Sequence, residues 1–340
     1  MSSLEELEKV ARAMVAKGKG VLAADESSGT IKRRFDSIKL ESNEKTRQAY
    51  RELLLTTKGI EEAISGVILY DETIRTTTSD GTPFPQVLSK KGILPGIKVD
   101  KGPVDIPGFA GEVVTEGLDG LRGRVKEYRD LGAKFAKWRA VITIGDGIPT
   151  RTCLELNAHA LARYAALCQE GGLVPIVEPE VLLDGSHTIE RCQEVTEQTL
   201  AITFEELFNQ RVAFEGMILK PSMVVSGKDC PRQAGVEEVA ERTIRCLKRT
   251  VPGAVPGIAF LSGGQTPEKA TEHLNAMNSM GPLPWEVSFS YARALQDPAL
   301  KAWKGDAANV AAAQKIFYHR AKCNAAARYG KYNKEMEKAA

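Results

Sequence analysis

Residues 173–181 read LVPIVEPEV, an apolar run that ends in two glutamates placed two positions apart. A short, nearly continuous apolar run is typical of a strand that is covered on both faces, as in a parallel sheet. Because successive side chains of a strand point to opposite faces, Glu178 and Glu180 share one face, about 6.6 Å apart. The stretch therefore predicts a buried parallel strand that carries charge at its C-terminal end.

Seven more segments of this kind occur, with helical patterns such as residues 154–170 and 236–250 between them. Eight strand–helix units at intervals of roughly 30–45 residues predict an α/β fold, a (β/α)8 TIM barrel, for which about 250 residues are typical. A doubly wound open sheet is the alternative, but no G-x-G-x-x-G follows the first segment. The other predicted strands are GVLAADE (20–26), ISGVILYDE (64–72), LPGIKVD (94–100), FAKWRAVI (135–142), GMILKPSM (216–223), GIAFLSGG (257–264) and EVSFSYA (286–292).

No linker rich in proline, glycine or serine divides the chain, so we predict a single domain over residues 1–340. The barrel is expected over about residues 20–295. An N-terminal lead-in helix over about 3–18 and a helical C-terminal tail over about 296–340 are interpreted as decoration of that barrel.

The overall composition excludes several classes of partner. The 340 residues contain 46 Lys and Arg against 44 Asp and Glu, a net charge of +2, so nothing favours nucleic acid or an anionic membrane. No apolar run approaches the roughly 18 residues that a membrane span needs. Three glutamates among the first eight residues argue against an export signal. A small-molecule partner and a cytoplasmic location are expected.

The cysteine and histidine spacings predict neither disulfides nor a metal site. The six cysteines are scattered without a C-x-x-C pair, which suits free thiols in a reducing compartment. The four histidines lie far apart and form no H-E-x-x-H or related pattern. We therefore expect a protein without a zinc site.

Charged residues stand at the C-terminal ends of five predicted strands, where this type of barrel builds its active site. Buried charges are costly unless they are paired or used. A structural ion-pair network inside the barrel is one interpretation, and a catalytic site is the other. The residues are Asp25, Lys98, the same-face pair Lys137 and Arg139, the pair Glu178 and Glu180, and Lys220.

The catalytic interpretation centres on a lysine. Lys220 follows three apolar residues, so its amine is reached through an apolar strand end. Desolvation and a nearby second cation, such as Lys137, favour a neutral amine that attacks a carbonyl carbon. The Schiff-base chemistry that follows needs groups that give and take protons, and Asp25, Glu178 and Glu180 are candidates.

Two neighbouring strand ends predict an anion site. LSGGQTPEKA places Ser262, Gly263 and Gly264 between a strand and a helix start, where backbone N–H groups can approach an anion. SFSYAR adds Ser290 and Arg293, and arginine suits bidentate phosphate binding. The loops after strands 7 and 8 form the usual phosphate site of this barrel, although S-G-G alone is more often a turn.

A second anion site is indicated by SSGTIKRRF, residues 27–35, which combines three hydroxyls with Lys32, Arg33 and Arg34. A solvated basic helix start is an equal alternative. Two phosphate sites on opposite sides of a buried lysine would imply a substrate phosphorylated at both ends.

Seven blocks together resemble class I fructose-bisphosphate aldolases, in the family order and with compatible spacing over about residues 20–296. Any one block is modest support, whereas seven in register are very specific. The blocks are LAADESSGT (22–30), GIKVDKG (96–102), AKWRAVI (136–142), VPIVEPEVL (174–182), ILKPSMV (218–224), FLSGGQ (260–265) and SFSYARALQ (288–296).

The resemblance implies a metal-independent, cofactor-free lyase of glycolysis and gluconeogenesis. Such an enzyme reversibly cleaves fructose 1,6-bisphosphate to dihydroxyacetone phosphate and glyceraldehyde 3-phosphate. By resemblance Lys220 forms the Schiff base, Glu178 is the main proton-transfer residue and Glu180 accompanies it, Asp25 serves C–C cleavage, and Lys137 belongs to the catalytic set. The implied substrate-binding residues are Thr30, Arg34, Lys98, Arg139, Ser262, Gly263, Gly264, Ser290 and Arg293. The resemblance also implies a homotetramer.

Two departures from the family pattern stand out. Ala292 occupies a position where many members have glycine, next to the predicted phosphate site. Eukaryotic members end in a mobile tail whose terminal tyrosine assists proton exchange on the enamine, whereas this sequence ends KEMEKAA, after Tyr329 and Tyr332. We therefore expect other groups to protonate the enamine, which a chain truncated before Tyr329 would test.

Two other functions remain open on sequence grounds. Another Schiff-base phosphosugar lyase or a transaldolase would use the same fold and lysine, but two phosphate sites disfavour a transaldolase. A barrel that has lost catalysis and serves as a scaffold is the other alternative. The intact set Asp25, Lys137, Glu178 and Lys220 argues against it.

Overall fold

The eight predicted strands form one closed parallel barrel in the computed structural model, which describes residues 4–339. Around the wall the strands follow one another in chain order, and the last pairs in parallel with the first. The predicted (β/α)8 TIM barrel is therefore confirmed. The strands are β1 (Gly20–Ala24), β2 (Ile64–Leu69), β3 (Leu94–Lys98), β4 (Gly102–Asp105), β5 (Val113–Glu116), β6 (Phe135–Ile142), β7 (Val174–Val181), β8 (Ile218–Leu219), β9 (Gly257–Phe260) and β10 (Glu286–Tyr291), of which β4 and β5 form a separate antiparallel hairpin.

Helices surround the barrel and also extend beyond it at both chain ends. Short 3-10 turns occur at Ile60–Glu62, Phe214–Gly216, Ala307–Asn309 and Lys334–Ala339. Within the described residues, no helix is both long enough and apolar enough to cross a membrane. The helices are α1 (Leu4–Met14), α2 (Ser28–Asp36), α3 (Glu44–Thr56), α4 (Asp71–Ile74), α5 (Phe84–Lys90), α6 (Leu121–Asp130), α7 (Arg151–Glu170), α8 (Ile189–Asn209), α9 (Val236–Thr250), α10 (Pro267–Ser279), α11 (Arg293–Trp303) and α12 (Val310–Ala327).

The interior of the barrel changes from apolar to charged along its axis. In β7, the alternate residues Val174 and Ile176 belong to the inner apolar cluster, and the next two residues of that face, Glu178 and Glu180, line the cavity above it. The alternation predicted from LVPIVEPEV is therefore the real one. The charges of β7 therefore lie at the C-terminal end of the strand, above apolar residues.

The apolar cluster at the bottom of the barrel is packed around one aromatic ring. Phe135 of β6 is fully buried in the inner cluster, and a Cβ atom built at Gly96 of β3 would lie 2.2 Å from that ring. Glycine is thus required at position 96 because the Phe135 ring occupies the space of its side chain.

The predicted N-terminal lead-in helix and helical C-terminal tail are both present, and parts of each make buried contacts at the bottom of the barrel. Leu7, Ala11 and Met14 of α1 are buried in the same inner cluster as the barrel floor. From the end of α12, the buried guanidinium of Arg328 donates hydrogen bonds to several main-chain carbonyls, including that of Lys19 at 3.0 Å. Both contacts lie at the N-terminal ends of the strands, opposite the predicted site.

Candidate active site

The C-terminal ends of the strands enclose a cavity of about 570 Å³. Thirteen of the fourteen predicted site residues line it, and the remaining one, Gly264, lies in the loop beside Arg293. Segments that are far apart in the chain therefore meet in one place. The thirteen are Asp25, Thr30, Arg34, Lys98, Lys137, Arg139, Glu178, Glu180, Lys220, Ser262, Gly263, Ser290 and Arg293.

Lys220 lies at the centre of this cavity. Its backbone N–H donates to the carbonyl of Val177 at 2.8 Å, which extends the pairing of β8 with β7 by one residue. The side chain is 4% exposed, and its Nζ lies 3.2 Å from Oε1 of Glu178. The amine is thus buried against one carboxylate, at the floor of a site that is open above.

Lys137 and Asp25 continue this row of alternating charges. Nζ of Lys137 lies 2.6 Å from Oδ2 of Asp25 and 3.4 Å from Oε2 of Glu178. The expected like-charge neighbour of Lys220 is therefore present, but Glu178 stands between the two ammonium groups. Two cations and two anions alternate in the order Lys220, Glu178, Lys137, Asp25.

The shifted pKa values of Asp25, Glu178 and Lys137 favour the charged forms of these three groups. Burial alone would raise the pKa values of Asp25 and Glu178, but the neighbouring Lys137 and Lys220 outweigh burial and hold both below their ordinary values. Burial alone would lower the pKa of Lys137, but Asp25 and Glu178 raise it above its ordinary value. Both carboxylates are therefore proton acceptors at neutral pH, and Lys137 stays cationic.

Further ion pairs lie around the row of Lys220, Glu178, Lys137 and Asp25, at the rim of the cavity. Arg139 donates to Glu180, and Nζ of Lys98 lies 2.8 Å from Oδ1 of the buried Asp100. The structural ion-pair network considered above is thus present. It is not an alternative to a site, because the same pairs line a cavity of substrate size.

The loop after β9 and the end of β10 together offer hydrogen-bond donors that have no partner within the described residues. Gly263 and Gly264 have φ values of +58° and +91°, which favour glycine, and Arg293 begins α11 beside them. The hydroxyl of Ser290 is buried and has no hydrogen-bond partner among residues 4–339. A buried hydroxyl without a partner at a helix N-terminus suits a phosphate oxygen.

The second predicted anion site is arranged differently from the expectation. Arg34 forms an ion pair with the buried Glu26 at 2.5 Å, and Glu26 also pairs with Arg51 at 2.7 Å. Arg33 donates to the hydroxyl of Thr30 at 3.2 Å, and both Arg33 and Arg34 line the cavity. Of the three basic residues, Lys32 turns away and pairs with Asp36 on the exposed face of α2.

Sequence reasoning missed three charged residues of the cavity, Glu26, Asp297 and Lys301. Glu26 directly follows Asp25 and could have been found as a second charge at the same strand end. Asp297 and Lys301 lie one and two helical turns after Arg293 on α11. Their spacing of four was a usable signal, because residues four apart share a helix face.

One group of side chains elsewhere has the composition of metal ligands. His319 and Cys323 of α12 and Glu337 place one possible ligand atom each within 4.8 Å of one another. The Glu337 carboxylate, however, accepts hydrogen bonds from Arg320 and from the hydroxyl of Tyr332, and burial raises the pKa of Cys323 to about 11. An ion-paired carboxylate and a protonated thiol are poor metal ligands.

The two tyrosines near the C-terminus lie away from the cavity. The ring of Tyr329 packs against Gly18, which precedes β1 at the bottom of the barrel. The hydroxyl of the buried Tyr332 donates to Glu337 at 2.7 Å. Neither tyrosine therefore lines the cavity.

Comparison with known proteins gives a consistent result. The model of the family "Fructose-bisphosphate aldolase class-I" matches residues 6–340. A Xanthomonas campestris protein named probable fructose-bisphosphate aldolase class 1 is 60% identical over 331 residues, which cover 97% of this chain and 99% of that protein. A fructose-bisphosphate aldolase of Dictyostelium discoideum is 54% identical, with 97% and 94% covered.

A solved structure agrees with these sequence relatives. The fructose-bisphosphate aldolase of Plasmodium falciparum, determined in complex with TRAP and a small-molecule inhibitor, superimposes with a TM-score of 0.96. It is 49% identical, and the match covers 97% of this chain and 95% of that one.

Proposed function

The chain belongs to the family of class I fructose-bisphosphate aldolases, which are lyases, and from this premise we propose how its own residues carry out the reaction. The proposed substrate is fructose 1,6-bisphosphate, which is cleaved reversibly to dihydroxyacetone phosphate and glyceraldehyde 3-phosphate. The observation that carries the proposal is the buried row of Lys220, Glu178, Lys137 and Asp25 beneath two anion-binding ends.

The reaction begins at Lys220. Its amine loses a proton to the Glu178 carboxylate 3.2 Å away and attacks the ketone carbon of the sugar. Glu178 then returns that proton to the former ketone oxygen, which becomes the hydroxyl of the carbinolamine. A second proton, taken by Glu178 from the lysine nitrogen and given to that hydroxyl, lets it leave as water and gives the protonated imine. Lys137, held between Asp25 and Glu178, stabilises the negative charge on these carboxylates throughout.

Cleavage of the carbon–carbon bond needs a base for the hydroxyl on carbon 4. Asp25 is ionised at neutral pH and accepts that proton, the bond between carbons 3 and 4 breaks, and its electron pair moves to the imine as an enamine. Glyceraldehyde 3-phosphate leaves as the aldehyde. Asp25 then releases its proton to solvent, and Glu178, reprotonated from solvent, is the proposed donor to the enamine carbon. Hydrolysis of the new imine releases dihydroxyacetone phosphate.

The two anion-binding ends distinguish this reaction from the alternatives. One end combines the loop of Ser262 and Gly263 with Ser290 and Arg293. The other end combines Thr30 with Arg33 and Arg34 of α2. A transaldolase donor carries one phosphate, so it would leave one end unused. A scaffold would need neither end.

Borohydride trapping tests the proposed function directly. The protein is incubated with dihydroxyacetone phosphate in excess EDTA, reduced with borohydride, and mapped by peptide mass spectrometry. A stable adduct on Lys220 is the expected result. No adduct, with cleavage lost in EDTA, would indicate a metal-dependent enzyme, and no adduct with no activity would favour the scaffold.

Replacing Arg293 with alanine is expected to raise KM for the bisphosphate roughly 10- to 100-fold, because a charge-assisted phosphate contact is lost. Steady-state kinetics measure the change, and Arg245→Ala is the control, because Arg245 is exposed and pairs with Glu241 on α9. An unchanged KM would move the phosphate site elsewhere.

Replacing Asp297 with asparagine is expected to strengthen phosphate binding about threefold at neutral pH. Burial raises the pKa of Asp297, and its ionised carboxylate lies in a cavity that must accept phosphate. As the pH falls through the raised pKa, wild-type Asp297 becomes neutral, so the difference between the two proteins should vanish.

Competitive inhibition by inorganic phosphate at several pH values measures this effect. The ratio of the two inhibition constants cancels the titration of phosphate itself. Asp130→Asn, an exposed change on α6, is the control. A variant that binds phosphate more weakly than wild type at pH 7 would show that Asp297 assists binding instead.

A cytoplasmic location and a homotetramer complete the proposal. All six cysteines are unpaired and buried, which suits a reducing compartment. The apolar side chains of Leu156 on α7 and Phe208 on α8 are 42% and 72% exposed, which suits burial in a subunit contact. Analytical ultracentrifugation tests the tetramer, and a monomer at micromolar concentration would exclude it.

A further inference from the structure

We propose that His273 is a positioning residue for the phosphate-binding loop, acting through the side-chain amide of Gln265. The loop is residues 262–266, between β9 and α10. This inference rests on the proposed function, because it assumes that the loop holds a substrate phosphate. Neither residue belongs to the site predicted from sequence.

The first step is the orientation of one peptide group. The carbonyl of Ser262 accepts two hydrogen bonds from Gln265, one from its backbone N–H at 3.0 Å and one from its side-chain Nε2 at 3.1 Å. The C=O and N–H of a trans peptide point in opposite directions. Fixing the Ser262 carbonyl therefore also fixes the direction of the Gly263 N–H, in a loop where Ser262 and Gly263 line the cavity.

The second step is the orientation of the Gln265 amide. A side-chain amide can present either its oxygen or its nitrogen to a given neighbour. Nδ1 of His273 lies 2.6 Å from Oε1 of Gln265. Since Oε1 only accepts, Nδ1 must carry the hydrogen, and this contact selects the orientation in which Nε2 donates to Ser262.

The third step is the state of the imidazole. His273 is 3% exposed on the inner face of α10, and its Nε2 is buried without a hydrogen-bond partner among residues 4–339. Protonation would place an N–H in that position without an acceptor. Burial, with a contribution from the Lys269 ammonium, lowers the pKa of His273 to about 4. The ring therefore stays neutral, with its hydrogen on Nδ1, at working pH.

A matched pair of substitutions tests the role. Asparagine places its amide nitrogen at the same distance along the side chain as Nδ1, so His273→Asn can keep the donor. His273→Leu keeps the apolar bulk and removes the donor. We expect His273→Leu to raise KM for fructose 1,6-bisphosphate and the inhibition constant of inorganic phosphate about tenfold each, with kcat within about twofold. His273→Asn is expected to stay within about twofold of wild type.

Thr271→Val separates positioning from general stability. Thr271 is buried on the same helix, but its hydroxyl bonds to Asn324, on the side of α12. This change should lower the melting temperature and leave KM unchanged. If His273→Leu does not fold, Gln265→Leu in the half-buried loop should give the same rise in KM.

Two outcomes would overturn the inference. One is a KM for His273→Leu or Gln265→Leu that stays at the wild-type value. The other is an equal rise in KM for His273→Asn and His273→Leu. Neither would affect the proposed function, which is tested separately by trapping on Lys220 in the wild-type protein.

Discussion

Replacing Lys220 with alanine is expected to abolish covalent trapping and to lower kcat by at least about 10⁴-fold, because no other group can form the imine at this position. Lys137 is near, but its pKa is raised by Asp25 and Glu178 and its Nζ is held in two ion pairs. A second lysine therefore cannot substitute. Turnover is measured with fructose 1,6-bisphosphate, and trapping with dihydroxyacetone phosphate.

The control is Lys228→Ala, which removes an exposed lysine in the loop after β8 that pairs with Asp184. It should trap and turn over normally. Retained activity in Lys220→Ala would show that the nucleophile is misassigned. Circular dichroism of the variant confirms that a loss of activity is not a loss of fold.

Replacing Glu178 with glutamine is expected to lower kcat about 10²- to 10⁴-fold while leaving Lys220 able to form an adduct on long incubation. Glutamine keeps the shape of the side chain but cannot take or give the proton. The expected signature is therefore slow trapping at the correct residue, which differs from the absence of trapping in Lys220→Ala.

The same change should also destabilise the protein. Glu178 balances Lys137 and Lys220, and removing one member of a buried ion pair costs roughly 3–5 kcal/mol. Because the pKa of Glu178 is lowered on folding, its stabilising contribution is present at neutral pH and is lost as the pH falls through that lowered pKa. Wild type and variant should thus converge in thermal stability at low pH.

Glu155→Gln is the matched control, since Glu155 forms an exposed pair with Arg151 on α7. Its kcat and melting temperature should stay at the wild-type values. A Glu178→Gln variant that turns over within about tenfold of wild type would assign proton transfer to another carboxylate, with Asp25 the nearest candidate across Lys137.

The sequence by itself determined that the fold is a barrel and that the charged side chains lie at one end of its axis. Strand alternation is a local property, so LVPIVEPEV was enough to place Glu178 and Glu180 on one face and above an apolar floor. The same alternation placed Lys137 and Arg139 on one face of β6. Lys220 was found because a charge after an apolar run marks the end of a strand. Hydroxyls and glycines before a helix likewise marked the loop of Ser262.

Only the tertiary structure decided which charges meet. Glu178 lies between Lys220 and Lys137, and Arg34 is paired with Glu26, because these contacts depend on which strands and helices become neighbours when the sheet closes. A sequence pattern fixes the strand face on which a side chain lies and its position along the barrel axis. The residue with which that side chain forms an ion pair is decided when the barrel closes, because closure brings together residues that are distant in the chain.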